Sequence, residues 1–440
     1  MIKLPHYRDP VHGFIEVSPA EQKIVDSAPF QRLRNIHQLA TTYLVYHGAE
    51  HTRFGHSLGV MHLVTRTFDA VTAKNSNLFR EDSKENAAVT AWYRQILRLI
   101  ALTHDLGHAP FSHASEQLFE NKREHEDYTK DIIEKTEIAE YINEIGIEFQ
   151  KQYGEQYYIT PQLLWMIYGE KAQEHLLDDA YIWPDFMFLK SFMDGEMDCD
   201  KMDYLLRDSK YCGVSYGIYD LDRFISTITV YKNPKEKIMQ LAISSGGIQA
   251  LEEFVLARYF MFIQVYFHKT RRYLDRLLVQ SISEILPGGK YPLDLNAYLK
   301  LDDVEVLHLI KKSDTTYCKQ YCKRELMTCV RETSAHANKS ERQLFKVICH
   351  AVQNNIPSDL AFVDEVDKAA HKLQPLLLAH EDDSGKEIKI IDKHSGVARN
   401  IMEDSLILEG IVKPISICRL YVNKSELDRA REIIKNTCDE

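Results

Sequence analysis

Apolar residues recur at three- and four-residue spacing from Ser18 to about Ile285, most densely at Ile96, Leu97, Leu99, Ile100 and Leu102. That period belongs to helices that bury one face, so a large helical core is predicted. The dense run leads into Thr103-His104-Asp105-Leu-Gly107-His108-Ala-Pro110, where a glycine and a proline are expected to end the helix. His104 and His108, four residues apart, are then expected to share a face that opens on a pocket.

Composition narrows the class. Hydrophobic residues make up 45% of the 440 and charged residues 27%, as in ordinary water-soluble globular proteins. Lys plus Arg number 54 against 65 Asp plus Glu, a formal charge of −11. Such a balance argues against a protein that coats nucleic acid, but leaves room for a local basic pocket around one small polyanion. The apolar run Ile96–Leu102 is interrupted by Arg98 and falls far short of the roughly 18 residues of a membrane span, so no membrane partner is expected. The start, MIKLPHYRDP, lacks a signal-peptide core. Eight cysteines without a CxxC pair suggest free thiols in a reducing cytosol, hence a cytoplasmic protein. Cys318, Cys322 and Cys329 lack a second matched pair and read as helix-packing thiols rather than a zinc site.

The breakers in Leu286-Pro-Gly-Gly-Lys-Tyr-Pro292, after a long helical stretch Gly247 to Ile285, suggest a boundary. Residues 1–285 then form one domain and 286–440 a second lobe. Leu293 to Leu378 reads as helices, one starting at Asp302-Asp303 and another at Pro357-Ser358-Asp359. A polar turn at 380–386 precedes strands at Ile388 to Ile391 and Ile411 to Val422, and a closing helix at Glu426 to Lys435. The fold class is therefore mostly α, a helical core with a smaller α/β C-terminal lobe.

The 19 histidines are unusual, and several cluster between His37 and His125. Neutral imidazole and carboxylate are good ligands for a borderline divalent metal, which makes His104-Asp105 of interest. Alone, that pair more often describes a helix-end histidine bonded to its neighbour. His51-Thr-Arg53-Phe-Gly-His56 adds an upstream imidazole at another helix start. Asp198-Cys-Asp200-Lys201-Met-Asp203-Tyr204-Leu-Leu-Arg207-Asp208 adds an amphipathic helix with a chemically rich polar face, or a solvated acidic one.

Taken together, these segments carry a resemblance. Arg8-Asp-Pro-Val-His-Gly-Phe-Ile-Glu16, Phe30-Gln-Arg-Leu-Arg34, His37-Gln-Leu39, His51 to Val60, the His104 to His113 run and Asp200 to Asp208 are similar to the HD-domain deoxynucleoside triphosphate triphosphohydrolases. The likeness to this family, that of the sterile-alpha-motif and HD-domain enzyme and its bacterial relatives, runs from about residue 5 to 285. The chain starts directly at the catalytic region, so the sterile-alpha-motif domain is expected to be missing.

The resemblance implies a metal held by His56, His104, Asp105 and Asp200. Two nitrogens and two carboxylates leave positions open for water and phosphate on iron, manganese, cobalt or nickel, and magnesium could bridge phosphate oxygens as a second ion. Arg53, Lys201 and Arg258 match positions that contact the triphosphate. His108, His113 and His125 match the family's catalytic cluster, with His113 favoured as the general acid. Gln38 and Leu39 match residues along sugar and base, and Tyr204, Asp208 and Tyr266 the group that packs on the sugar and reads its 3′-hydroxyl. Phe267 stands where the better-known enzyme has a glutamine near the base. Asp26, Gln31 and Arg34 match a regulatory guanine-nucleotide site between subunits, although Pro5 replaces a lysine there. Dimers or tetramers are implied as well.

The leading expectation is hydrolysis of a nucleoside triphosphate at the α-phosphorus to nucleoside and tripolyphosphate. Stepwise phosphate removal from a nucleotide or analogue uses the same centre, and Glu148 to Phe192, which departs from the family, could remodel the pocket for it. A phosphodiester substrate and a nucleotide sensor without turnover are the remaining readings.

Overall fold

The computed structural model describes residues 5–169, 183–233, 239–368, 388–411 and 413–439. The polar turn read at 380–386 lies outside them. Helices dominate, as the apolar period predicts. Arg53–Lys74 and Ser83–Thr103 pack together through Leu58, Met61, Val64 and Phe68 on one and Val89, Tyr93, Ile96 and Ile100 on the other. Each such side chain, fully buried, contributes about 1.5–3 kcal/mol. Asp82 starts the second helix by accepting hydrogen bonds from the backbone N–H groups of Lys84 and Glu85.

The Cys199–Cys212 helix lies so close to Arg53–Lys74 that only glycine fits at position 59. A Cβ there would stand 2.0 Å from Asp203 Oδ1 and 2.5 Å from Arg207 Nη2. In front of both helices, the hairpin His6–Asp9 with Gly13–Glu16 brings Asp9 to within 2.8 Å of Arg207 Nη1.

The helix before His104-Asp105 stops earlier than the sequence suggests, at Thr103. Side chains from elsewhere take the backbone groups that another helical turn would use. Thr129 Oγ1 donates to the His104 carbonyl (3.1 Å) and accepts from the Gly107 N–H (2.9 Å), while Arg32 donates to the His108 carbonyl (3.0 Å). His104 and His108 therefore do not share a helix face. A Cβ on Gly107 would stand 2.0 Å from the His125 carbonyl oxygen, so this turn presses on the first residue of the His125–Lys135 helix.

The stretch Gly247 to Ile285 is likewise not one helix. Ile248–Met261 passes through a π-helical turn at Phe262–Tyr266 before Lys269–Ile285 begins. Strands Ile228–Lys232 and Met239–Ser244 precede it, and Lys389–Ile391 and Ala398–Asn400 return from late in the chain to complete a four-stranded sheet. Ile390, Ile401 and Met402 of that returning segment join the main helical core.

A second sheet closes the C-terminal end, with Ile415–Val422 in the middle and Thr328–Glu332 and Ala361–Lys368 antiparallel on either side. Helices Lys339–Asn355 and Leu427–Asp439 cover it through Phe345, Ile348, Val352 and Ala430. Ala361–Lys368 corrects the helix expected after Pro357: it pairs along its whole length with Ile415–Val422, and that ladder overrides weak local preference. The strands expected near 388–391 and 411–422 and the closing helix are present as Lys389–Ile391, Ile415–Val422 and Leu427–Asp439.

Candidate active site

Three separate elements converge on one buried point. His56 comes from the first turn of Arg53–Lys74, His104 and Asp105 from the turn after Ser83–Thr103, and Asp200 from the first turn of Cys199–Cys212. His56 Nε2 lies 2.9 Å from Asp200 Oδ1 and 3.6 Å from Asp105 Oδ2. His104 Nε2 lies 3.3 Å from Asp105 Oδ1 and 3.8 Å from Asp200 Oδ1. His104 Nδ1 is 2.8 Å from the Ala101 carbonyl, which fixes the proton on that nitrogen, and Nε2 is buried with no hydrogen-bond partner. An orphaned lone pair facing two carboxylates fits a divalent cation.

His56 is oriented by Asp203, whose Oδ2 lies 2.8 Å from His56 Nδ1. The same carboxylate accepts from Arg207 at 2.8 and 3.0 Å and faces His12 Nε2 at 2.6 Å. Burial opposes charge on the His56 ring, but its bonds to Asp200 and Asp203 push it up to about 10, a proton that a metal would replace. Burial likewise raises Asp105, yet Arg53 and the flanking imidazoles hold it well below the usual carboxylate range. Arg53 Nη1 donates to Asp105 Oδ2 (2.5 Å) and Nε to Ser112 (2.8 Å), so this guanidinium braces the carboxylate.

Beside this set stands the histidine cluster. His108 Nε2 lies 3.1 Å from Asp105 Oδ1, which joins the two groups. The rings of His108 and His125 stack at 3.8 Å, and that of His113 stands edge-on to His108 at 4.6 Å. All three present Nδ1 to Glu116: His108 at 3.1 Å, His113 at 3.0 Å and His125 at 3.0 Å. Burial and the Arg53 charge push His108 down to about 3, whereas Glu116 raises His125 against its own burial. His113 alone is open, with 66% of its side chain exposed.

The remaining residues line the surroundings. Lys201 donates to Asp198 and to the Gly195 carbonyl (2.9 Å). Arg258 is buried, 3.5 Å from Glu196, and its Nε has no partner. Tyr266 donates to Asp208 Oδ2 (2.7 Å), whose Oδ1 meets His51 Nε2 (2.8 Å), and the Tyr204 ring stands edge-on to Tyr266 at 6.3 Å. Burial pushes the Tyr204 hydroxyl up to about 12. Leu39 and Gln38 are buried, the latter with an unpartnered Oε1. Phe267 packs on Phe262 and toward the C-terminal sheet beside Val366 and Ile417, away from polar partners. Asp26 and Arg34 are exposed; Arg34 covers the Phe54 ring at 3.5 Å and donates to Gln31 (2.8 Å).

Comparison with known proteins agrees with this geometry. Residues 53–156 match the HD domain, which spans His56 through His125, and residues 219–381 match the HD associated region. The uncharacterized protein YwfO of Bacillus subtilis is 31% identical over 350 residues, covering 74% of this chain and 71% of that one. The chain belongs to the HD-domain phosphohydrolases. Deoxynucleoside triphosphate triphosphohydrolase SAMHD1 of Bos taurus is 26% identical over 467 residues, 97% of this chain and 71% of that protein. A hypothetical protein from Aquifex aeolicus superposes with a TM-score of 0.75 at 30% identity, over 98% of this chain and 100% of that one. HD domains bind divalent metals, and His56, His104 and Asp200 converge closely enough to hold one.

Sequence reasoning missed several working parts of this HD phosphohydrolase. Asp203 was visible as a polar residue one turn from Asp200 and Arg207, but nothing local tied it to His56. Glu116, three residues after His113, gave no signal among exposed-looking polar neighbours. Tyr168, from the Glu148 to Phe192 segment expected to be able to remodel the pocket, stands edge-on to His104 at 6.5 Å. Among the described residues, no helix is long and apolar enough to cross a membrane.

Proposed function

We propose that the chain hydrolyses deoxynucleoside triphosphates at the α-phosphorus, releasing nucleoside and tripolyphosphate. The observation that carries this reading is Asp105, whose Oδ2 faces His56 and whose Oδ1 faces both His104 and His108 of the histidine cluster. Groups that activate water and groups that protonate a leaving oxygen thus border one space, as in-line cleavage needs.

His56, His104, Asp105 and Asp200 would hold the cation. When bound, a divalent iron, manganese, cobalt or nickel ion supplies Lewis acidity and an activated water, and magnesium on the triphosphate adds charge neutralisation. Lys201 and the unpartnered Nε of Arg258 offset charge developing on phosphoryl oxygens. Arg53 keeps Asp105 ionised and aimed. His113, held through Nδ1 by Glu116, has Nε2 left to deliver a proton to the nucleoside oxygen as the bond to phosphorus breaks. Asp208 accepts from the sugar hydroxyl while Tyr266 and His51 hold the carboxylate in place. Nucleotide substrates are also what the name of the Bos taurus relative describes.

A second reading, stepwise phosphate removal from a nucleotide analogue, draws on Tyr168. Its half-buried ring stands edge-on to His104, so the segment that departs from the family reaches the metal-facing wall. A guanine-nucleotide activator at a subunit contact is also proposed, read by Asp26, Gln31 and Arg34, of which Asp26 and Arg34 are exposed. Product analysis of metal-reconstituted protein with each deoxynucleoside triphosphate, with and without GTP, separates these. Tripolyphosphate and nucleoside support the proposal; orthophosphate with diphosphate and monophosphate intermediates overturns it in favour of the stepwise enzyme. Flat activity and unchanged mass across a GTP titration remove the activator.

A further inference from the structure

We infer that Asp303, which reaches the site from the second lobe, is a positioning residue that holds the backbone turn carrying His113. The strain in that turn is the starting point. Phe111 and Ser112, the two residues before His113, are both left-handed, at φ of 60° and 54°. Neither is a glycine, and a bulky aromatic residue rarely accepts that conformation unless its surroundings impose it. Phe111 is fully buried in an apolar cluster with Tyr128, Leu278 and Ile282, and its N–H donates to Asp303 Oδ1 at 2.6 Å.

Asp303 opens the helix Asp303–Lys312 and is itself buried. Its Oδ2 accepts from the His37 N–H at 2.9 Å and lies 2.6 Å from His37 Nδ1. The His37 carbonyl accepts from Ser112 Oγ (2.7 Å), which in turn accepts from Arg53 Nε (2.8 Å). One carboxylate thus fixes both strained residues, Phe111 directly and Ser112 through His37, and the chain of bonds ends on the guanidinium that braces Asp105. Neighbouring groups secure the start of the turn. Tyr298 donates to the Gly107 carbonyl (2.7 Å), and Arg32 joins the carbonyls of Leu301 (2.9 Å) and His108 (3.0 Å). Without Asp303 the Phe111 N–H loses its acceptor, the left-handed pair relaxes, and His113 leaves the Glu116 carboxylate that aims it.

The effect on rate rests on the proposed role of His113; the hold on its turn does not. The test compares the full chain, loaded with manganese, as wild type, Asp303→Asn, His113→Ala and the double variant. Asn keeps the shape of the side chain but, whichever way its amide turns, sets an NH2 against a backbone N–H. Asp303→Asn is expected to lose about 10²-fold in kcat, as a displaced catalytic group does, with KM and manganese affinity within about twofold of wild type. Adding His113→Ala to it should then cost less than about threefold, because both changes remove the same group. Histidine-selective 15N spectra, with the His113 signal assigned by its absence from His113→Ala, report the ring without turnover. In Asp303→Asn, Nδ1 should lose the shift of a carboxylate-bonded nitrogen. Wild-type kcat in Asp303→Asn, or the full His113→Ala loss on top of it, overturns the inference. A wild type that cleaves no nucleotide defeats the proposed function, and the spectra then decide alone: a moved His113 signal keeps the inference and an unmoved one overturns it. If Asp303→Asn does not fold, Asp303→Glu, which keeps the charge and shifts the carboxylate by one methylene, carries the same cycle.

Discussion

Asp203→Asn replaces one oxygen with nitrogen in the most heavily used carboxylate of the protein. Oδ2 serves His56 Nδ1 and Arg207 Nε, both at 2.8 Å, and Oδ1 serves His12 Nε2 at 2.6 Å and Arg207 Nη2 at 3.0 Å. Whichever way the amide turns, its NH2 faces donors, so half of those bonds are lost. Arg207 is fully buried and keeps only Asp9 as counter-charge. Breaking a buried pair from one side costs about 3–5 kcal/mol, and that is the expected loss in urea unfolding. The second effect is on the metal. Without an acceptor at Nδ1, His56 is no longer held with its Nε2 lone pair toward Asp105 and Asp200, and loss of such a support typically costs about 10–100-fold in metal affinity. Manganese titration of the folded variant, followed by electron paramagnetic resonance, measures this separately from stability. Affinity within twofold of wild type would refute the claim that Asp203 orients His56.

Gly59→Ala should destabilise by about 1–3 kcal/mol, because its Cβ would overlap Asp203 Oδ1; a wild-type urea midpoint would show that the helices part freely. Glu21 is buried, and Arg98 holds its carboxyl down to about 2 from 4.5 despite that burial. A depressed carboxyl stabilises the fold above its unfolded value and loses that contribution as pH falls through about 4.5 toward 2, here about 3 kcal/mol. Urea midpoints from pH 7 to 3 should therefore fall more steeply in wild type than in Glu21→Gln. His104→Ala should lose metal and turnover together, whereas His113→Ala should keep the metal and lose about 10²–10⁴-fold in kcat. Arg258→Ala should keep the metal and weaken triphosphate binding; loss of the ion there would contradict its assignment.

Much of the candidate site was legible because its chemistry is written in short strings. His104-Asp105 and Asp200 to Asp208 each sit at an element end, and the apolar period announced the helices that carry them. What stayed hidden depends on partners far away in sequence. Thr129 and Arg32 end the Ser83–Thr103 helix from outside, so no residue within it marks the stop. Ala361–Lys368 is a strand because Ile415–Val422 lies beside it, and Glu116 matters because three imidazoles fold around it.

The returning strands have a bearing on how the protein is made. Met239–Ser244 pairs on one side with its predecessor and on the other with Lys389–Ile391, whose neighbours Ile401 and Met402 reach the main core. A nascent chain that has emerged only as far as the Lys269–Ile285 helix presents an open strand edge over uncovered aliphatic side chains, a template for self-association. Expression of residues 1–285 alone is therefore expected to give aggregates, and chaperone dependence should end only once the late strands have left the ribosome.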